Sequence, residues 1–174
     1  MRIPVAYILY GVAGTTLALM IVRFMTALMS KINITMFTTI TIKLLKAGNL
    51  DRAVKLCRAA PRSAFVSIIL PVFEYAQRQE DIGGMRAIFD EGYATLVKRT
   101  GKDLIFGGIG IFVGALAAIF GLRLGQVHPA YFGICGFSAL LGFGLIRGAL
   151  KLRAQAPVEF EKIIATFNQS TTRP

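Results

Sequence analysis

The chain has 174 residues, of which 55% are hydrophobic and only 17% are charged, and its mean hydropathy is +0.61. These values exclude an ordinary soluble domain and predict an integral membrane protein. The formal net charge is +11, but no nucleic-acid-binding motif accompanies it. The charge therefore predicts membrane topology and attraction to anionic lipids, with no nucleic acid partner.

Three runs without a formal charge are each long enough to cross a hydrocarbon core, which requires about 18–20 residues. They extend from Ile3 to Val22, from Leu104 to Leu122 and from Pro129 to Ile146. A secretory signal peptide is the alternative for the first run, but its apolar core is too long and no small-x-small cleavage site precedes a soluble domain. The predicted fold class is an all-α integral membrane protein with three transmembrane helices and a helical cytoplasmic domain.

The distribution of Lys and Arg predicts the topology, because cationic loops near membrane spans stay in the cytoplasm. Most of them lie within residues 31–102 and 147–173, and only Arg2 and Arg123 would be external. The N-terminus is therefore predicted outside and the C-terminus inside. The predicted segments are a first transmembrane helix (1–29), a cytoplasmic helical domain (30–103), a second transmembrane helix (104–123), an external hairpin (124–128), a third transmembrane helix (129–150) and a cytoplasmic tail (151–174).

The segment predicted to be cytoplasmic has helical patterns throughout. "TMFTTITIKLLKAG" ends at Gly48, where a C-cap is expected, and Asn49 is placed to cap the next helix, "LDRAVKLCRAA", which stops before Pro61. A third helix, "RSAFVSIILPVFEYAQRQE", contains Pro71, which predicts a kink.

The stretch "MRAIFDEGYATLVKRTGKDLIFGGIGIFVGALAAIFGLRLG" joins an amphipathic pattern directly to an apolar, glycine-rich one. Its first half has one apolar face at helical spacing, formed by Met85, Phe89, Tyr93 and Leu96 together with Ile82, which lies three residues before the stretch begins. No proline or turn cluster separates the two halves. A single helix is therefore predicted to pack against the cytoplasmic helices with its first half and to form the second span with its second half.

Small residues recur at helical spacing in all three predicted spans. They are Gly110, Gly114, Ala117 and Gly121 in the second span, Cys135, Ser138, Ala139 and Gly142 in the third, and Gly11, Gly14, Thr15 and Ala18 in the first. Such stripes let neighbouring membrane helices approach closely. One explanation is packing of the spans within one chain. The other is association of several copies, because three such faces are more than one three-helix unit requires.

The layout of an external start, one span, a helical cytoplasmic loop, two spans joined by a short hairpin and a basic tail resembles the MotA/TolQ/ExbB proton-channel family, closest to its TolQ and ExbB branch. "KLLKAGNLDRAVKLCRAAPRSAFVSIILPVFEYA" and "MRAIFDEGYATLVKRTGKDL" are similar to the family's cytoplasmic helices and its long helix entering the second span. The resemblance implies a bacterial inner-membrane protein and a homo-oligomer, a pentamer by family resemblance. It also implies a TolR/ExbD-like single-span partner with a membrane carboxylate.

The second span departs from the family's pattern, because "LIFGGIGIFVGALAAIFGL" keeps glycines but lacks the pore-facing threonine. In the third span, "FSALLGFGL" partly matches the family's "TAxGL"-like element, with Ser138 in the threonine's place. The predicted pore-lining residues are Ser138, Thr15 and Thr16. The alternative for Ser138 is a hydrogen bond to its own helix, which is the more common arrangement.

The predicted spans contain no acidic residue, so a conducting pore requires a partner to supply the titrating group. His128, the only histidine, is predicted to be an exposed residue of the hairpin. No catalytic motif or metal-ligand spacing is present, and Cys57 and Cys135 are too far apart along the chain to indicate a metal site. The sequence therefore predicts a non-enzymatic protein without metal or cofactor. We expect either an energy-coupling channel subunit or a non-conducting scaffold of the same fold, and a tetraspan-type membrane adaptor of unrelated origin is a third alternative.

Overall fold

The computed structural model describes residues 5–29, 32–79, 81–124 and 129–171. Over these residues its regular secondary structure is entirely helical, in agreement with the predicted all-α class. The helices in chain order are α1 (Val5–Met29), α2 (Ile34–Lys46), α3 (Leu50–Ala59), α4 (Val66–Ala76), α5 (Ile82–Leu124) and α6 (Pro129–Thr171).

Three helices are long and apolar enough to cross a membrane, which supports the prediction of a multi-pass membrane protein. Two of them correspond to α5 and α6, and the third stretch, Tyr10–Lys46, contains most of α1 and all of α2. With 43 residues each, α5 and α6 are about 65 Å long at 1.5 Å per residue, roughly twice the thickness of a hydrocarbon core. Residues 125–128, which contain His128 and most of the predicted hairpin, lie outside the described residues.

The chain divides into two compact units. The first, which we call the span unit, consists of residues 1–28 and 100–150, and the second, which we call the amphipathic unit, consists of residues 29–99 and 151–174. Many large apolar side chains on the helices of the span unit are exposed, including Leu19, Phe112 and Leu140. Such a surface is suited to lipid, where exposing leucine or phenylalanine has no hydrophobic cost.

The helix ends in the amphipathic unit follow local sequence signals. The side chain of Asn33 caps α2 by accepting a hydrogen bond from the N–H of Met36. Gly48 has φ +70°, the left-handed conformation expected after the end of a helix, so the predicted stop is confirmed. Asn49 precedes α3 as predicted, but its side chain makes no capping hydrogen bond there. The carboxylate of Asp81 accepts from two N–H groups in the first turn of α5.

α4 is shorter than the predicted third helix, and it continues through Pro71. Its side chains form the centre of the amphipathic unit, where Phe65, Ile69 and Phe73 are almost completely buried. The second half of α6 completes this core with Phe160 and other apolar residues at helical spacing, namely Ala156, Ile163 and Ile164. The predicted tail is therefore part of a packed core.

Candidate functional site

In the span unit, α5 and α6 approach each other closely at two facing glycines. A Cβ atom placed on Gly107 would lie 2.7 Å from the carbonyl oxygen of Gly142, and one placed on Gly142 would lie 2.6 Å from the carbonyl oxygen of Gly107. Both distances are shorter than real Cβ contacts permit. The two backbones are therefore in direct contact, which only glycine allows at these positions.

Two further glycines of α5 extend this contact toward the C-terminal end of the helix. A Cβ atom on Gly114 would lie 2.9 Å from the carbonyl oxygen of Cys135, and one on Gly121 would lie 2.9 Å from the ring of Tyr131. The Tyr131 hydroxyl donates a hydrogen bond of 3.0 Å to the carbonyl oxygen of Ala117. The contacting glycines of α5 thus recur every seven residues, the spacing of a helix-packing seam.

Glycines also make the contacts to α1 within the span unit. Gly110 faces the side chain of Met20, whose sulfur would lie 2.7 Å from a Cβ atom placed on the glycine, and Gly144 on α6 faces the ring of Phe24. The predicted stripe on α5 is therefore shared between two neighbours, with Gly110 toward α1 and Gly114, Ala117 and Gly121 toward α6. On α6, Cys135 and Gly142 face the same α5 seam.

Ala139 also lies near this seam, 3.8 Å from the position of a Cβ on Gly114. The small residues of the α5 and α6 stripes named above contact other helices of the same chain. Packing within one chain, the first of the two explanations, accounts for these contacts.

The predicted pore-lining hydroxyls all donate to their own helix. The Ser138 hydroxyl donates to the carbonyl oxygen of Ile134 at 2.9 Å, and the side chain is almost fully buried. The Thr15 hydroxyl donates to Gly11 and the Thr16 hydroxyl to Val12 in the same way. These bonds satisfy each hydroxyl proton but leave oxygen lone pairs available. A role in a pore stays a prediction for all three residues.

Four glycines of α1 and α6 are open. Among the described residues, a Cβ atom on Gly11, Gly14, Gly133 or Gly136 would meet no neighbouring side chain or helix within 4 Å. On α1 these glycines belong to the predicted stripe with Thr15 and Ala18, and both of those residues are exposed. No described residue therefore covers the stripe of α1, in contrast to the stripes of α5 and α6.

Arg23 is a charged residue within the apolar α1 helix. Its guanidinium lies 4.3 Å from the ring centroid of Phe106 on α5. An arginine above an aromatic face keeps a favourable electrostatic contact while its aliphatic stem covers apolar surface. This pairing is typical of a span that ends at the polar boundary of a membrane.

The amphipathic unit contains a groove of about 380 Å³ between the start of α4 and the middle of α5. Ala64, Ile68 and Leu96 form apolar parts of its lining, and the side chains of Glu91 and Arg99 also line it. Because these two charges are opposite in sign, the groove has no net charge that would favour an ionic ligand.

Titratable groups outside the spans provide no reactive cluster in the described part of the chain. No three His, Cys, Asp or Glu side chains come together there in a way that could hold a metal ion. Burial raises the pKa of the Cys57 thiol to about 12, and the nearby negative charge of Glu74 contributes to the rise. A thiol with this pKa is protonated at neutral pH and is a poor nucleophile.

Comparisons of the chain with protein-family models, curated protein sequences and solved structures find no match. The resemblance to the TolQ and ExbB branch therefore rests on the layout and the residues quoted above.

Three parts of this arrangement were not predicted from the sequence. Gly107 was not included in the α5 stripe, although the spacing of Gly107, Gly114 and Gly121 by seven residues is visible in the sequence. The open glycines Gly133 and Gly136 were also missed. The hydrogen bond of Tyr131 has no sequence signal, since it joins residues of two helices.

Proposed function

We propose that the chain is a subunit of a TolQ/ExbB-like energy-coupling complex in a bacterial inner membrane. In this proposal several copies, five by the family resemblance, surround the membrane helix of a TolR/ExbD-like single-span partner. The partner supplies the carboxylate that takes up and releases protons. The proton-motive force then drives motion of the partner relative to the ring.

The observation that carries the proposal is the pair of open small-residue faces in the span unit. One lies on α1 at Gly11 and Gly14, and the other lies on α6 at Gly133 and Gly136. Two different faces on one subunit are what a head-to-tail interface requires, and such an interface closes into a ring when the rotation between copies permits it. Small residues suit this interface because membrane helices associate through close backbone approach.

The chemistry of the spans supports a partner-dependent mechanism. The hydrophobic stretches of α1, α5 and α6 contain no Asp, Glu or His. A hydroxyl such as that of Thr15 can orient water but cannot hold and release a proton near neutral pH. Thr15 is exposed on the open face of α1, where it would be available to a neighbouring helix.

The positions of the basic residues support the proposed orientation. About eighteen of the twenty Lys and Arg residues, counting Arg23, lie in the segments proposed to face the cytoplasm. A topology reporter fused at Gly48 or after Arg153 should therefore be cytoplasmic, and one at Gln126 should be external. An external signal at Gly48 would contradict the orientation.

A non-conducting scaffold is the second candidate, and the position of Ser138 favours it. This serine takes the place of the family's threonine in the third span, but its side chain is only 2% exposed and it donates to its own helix. In a scaffold the same three-span fold would be retained as an accessory subunit of a larger complex without a proton path.

The assembly is tested by one substitution made at two matched positions. Ala18 lies on the open face of α1 and Ala115 is an exposed residue of α5. Ala18→Leu should weaken oligomers because the larger side chain holds neighbouring backbones apart, whereas Ala115→Leu should leave them intact. Oligomer mass is measured by native mass spectrometry in detergent. Equal effects of the two substitutions, or a monomeric parent chain, would contradict the proposed ring.

Conduction is tested by proton flux into vesicles. The protein alone should not dissipate a proton gradient. Flux should appear when a single-span protein with a membrane Asp, encoded beside this chain, is reconstituted with it, and it should disappear when that Asp is changed to Asn. In the coupled complex, Ser138→Ala should lower the flux. If the complex forms without any flux, the scaffold is the correct function.

A further inference from the structure

The helix α2 has one face in the core of the amphipathic unit and an opposite face that is exposed. Its buried residues are Ile34, Phe37, Thr38, Thr41 and Leu45. At 100° per residue these five side chains point in one direction, and the opposite direction is occupied by Met36, Thr39, Ile40, Lys43 and Lys46. All five of these residues are exposed. We call them the outer face of α2.

The outer face of α2 is unusual in this unit because it exposes large apolar side chains. Met36 is 63% exposed and Ile40 is 38% exposed. Among the described residues of the amphipathic unit, the other exposed large apolar side chains are Met29 and Val158. Three of the four therefore lie between residues 29 and 40, the part of the chain that directly follows the first span.

The charge around this face is predominantly positive. Lys43 and Lys46 lie on the outer face itself, and α3 and the turn after it add the exposed cations Arg52, Lys55 and Arg62. Arg58 on α3 is also exposed, but it forms an ion pair with Glu74. Asp51 is the only acidic residue between positions 29 and 62, and its carboxylate accepts a hydrogen bond from Gln77. The surface therefore attracts anions and repels a second copy of itself.

The chain connection limits where α2 can lie. Only residues 30–33 separate the end of α1 from the start of α2. Four residues span at most about 14 Å when fully extended. If α1 crosses the membrane, the first turn of α2 must lie close to the membrane surface.

We propose that the outer face of α2 binds the surface of an anionic bilayer. Met36 and Ile40 insert at the boundary between headgroups and acyl chains, and Lys43 and Lys46 bind anionic headgroups. An apolar strip bordered by lysines is the pattern of a helix that lies in the membrane interface. The inference rests on the proposed function only in requiring α1 to span the membrane. It assigns the predicted affinity for anionic lipids to the outer face of α2.

The test uses the full-length protein reconstituted in vesicles. A fluorescent probe is attached to Thr39→Cys on the outer face, and its quenching by lipids with a nitroxide headgroup is measured in phosphatidylcholine with and without phosphatidylglycerol. Quenching should be strong only with phosphatidylglycerol and should fall at high salt, because salt screens the lysines. Lys43→Gln should lower the ratio of bound to unbound helix about fivefold, since each surface lysine contributes about 1 kcal/mol.

Two controls make the measurement specific. The same probe on Ala87→Cys, an exposed position of α5 far along that helix from the second span, should show little quenching. Labelling of the parent chain measures the background from Cys57 and Cys135, both of which are buried. Lys43→Gln is compared with Lys98→Gln, which removes an exposed cation from another helix.

The outcomes separate this inference from the proposed function. Quenching that is equal in neutral and anionic vesicles and insensitive to Lys43→Gln would overturn the role of the lysines. An unquenched probe that crosslinks to a second copy would show that protein covers this face, which also overturns the inference. Either result can occur in a protein that still forms rings and conducts with its partner, and failure of the ring leaves the quenching result unchanged.

Discussion

Between α5 and α6, the span unit contains a contact of two glycine backbones, whereas the amphipathic unit contains a stack of two aromatic rings. Gly107 and Gly142 bring two backbones together. In the amphipathic unit, Phe89 of α5 and Phe160 of α6 stack with ring centroids 3.7 Å apart. The same two helices, α5 and α6, thus use small residues in one half and large residues in the other.

This difference in packing follows from the surroundings to which each unit is suited, water for the amphipathic unit and lipid for the span unit. Water drives large apolar side chains into a core, at roughly 25 cal/mol for each Å² buried. Lipid provides no such driving force between helices, so close backbone packing is what holds spans together. Ion pairs agree with this division, because Arg58–Glu74, Arg86–Glu161 and Lys162–Glu159 all lie in the amphipathic unit.

The largest effect is expected from truncating the aromatic stack. Phe160→Ala removes a ring that is 2% exposed and should cost about 3–5 kcal/mol of the free energy of unfolding. Phe143→Ala, at a side chain of the span unit that is 57% exposed, should cost much less. Unfolding is followed by far-ultraviolet circular dichroism in detergent, since the chain contains no Trp. Equal losses would mean that both units depend on apolar burial in the same way.

A smaller effect is expected from adding one methyl group to the glycine seam. Gly107→Ala should destabilise the protein by roughly 1–3 kcal/mol, because the new Cβ overlaps the carbonyl oxygen of Gly142. Gly108→Ala is the matched control, since a Cβ there meets nothing within 4 Å and alanine favours the helix. Thermal unfolding of the two variants is compared with that of the parent chain. A silent Gly107→Ala would show that the α5 and α6 backbones are not in contact.

The buried thiol of the amphipathic unit predicts a loss of stability at alkaline pH. The pKa of Cys57 is raised from 9.0 to about 12 in the folded protein. Its contribution is therefore complete below pH 9 and is lost as the pH rises toward 12, because the unfolded chain releases this proton first. At pH 10 the loss is about 1.4 kcal/mol. Cys57→Ala should flatten the dependence of the unfolding free energy on pH between 9 and 12, and an unchanged slope would contradict the burial of the thiol.

The smallest effect is expected from two buried hydroxyls on the inner face of α2. Thr38 and Thr41 have no hydrogen-bond partner for their hydroxyl oxygens among the described residues. Thr38→Val keeps the shape and removes the unsatisfied group, so it should stabilise the protein by about 1 kcal/mol. Thr39→Val is the control, because the exposed Thr39 hydroxyl donates to the carbonyl oxygen of Thr35. If denaturant titration shows Thr38→Val to be destabilising, the hydroxyl has a partner such as a bound water.

The sequence by itself determined the features that depend on neighbouring residues. The lengths of the three apolar runs predict the spans, because membrane insertion depends on local hydropathy. The end of α2 just before Gly48 and the single α5 helix were also predictable, since helix termination and apolar periodicity are local properties. The apolar spacing in the second half of α6 carried a comparable signal.

Only the tertiary structure decided which partner each small residue faces. The sequence stripes of α1, α5 and α6 are alike in composition, yet Gly114 faces Cys135 whereas Gly11 faces no residue in the part of the chain that the structure describes. The same holds for Ser138, whose spacing is compatible with a pore but whose side chain is buried. The reason is that helical periodicity places residues on a face, whereas the rotation of each helix against its neighbours depends on all of its contacts at once.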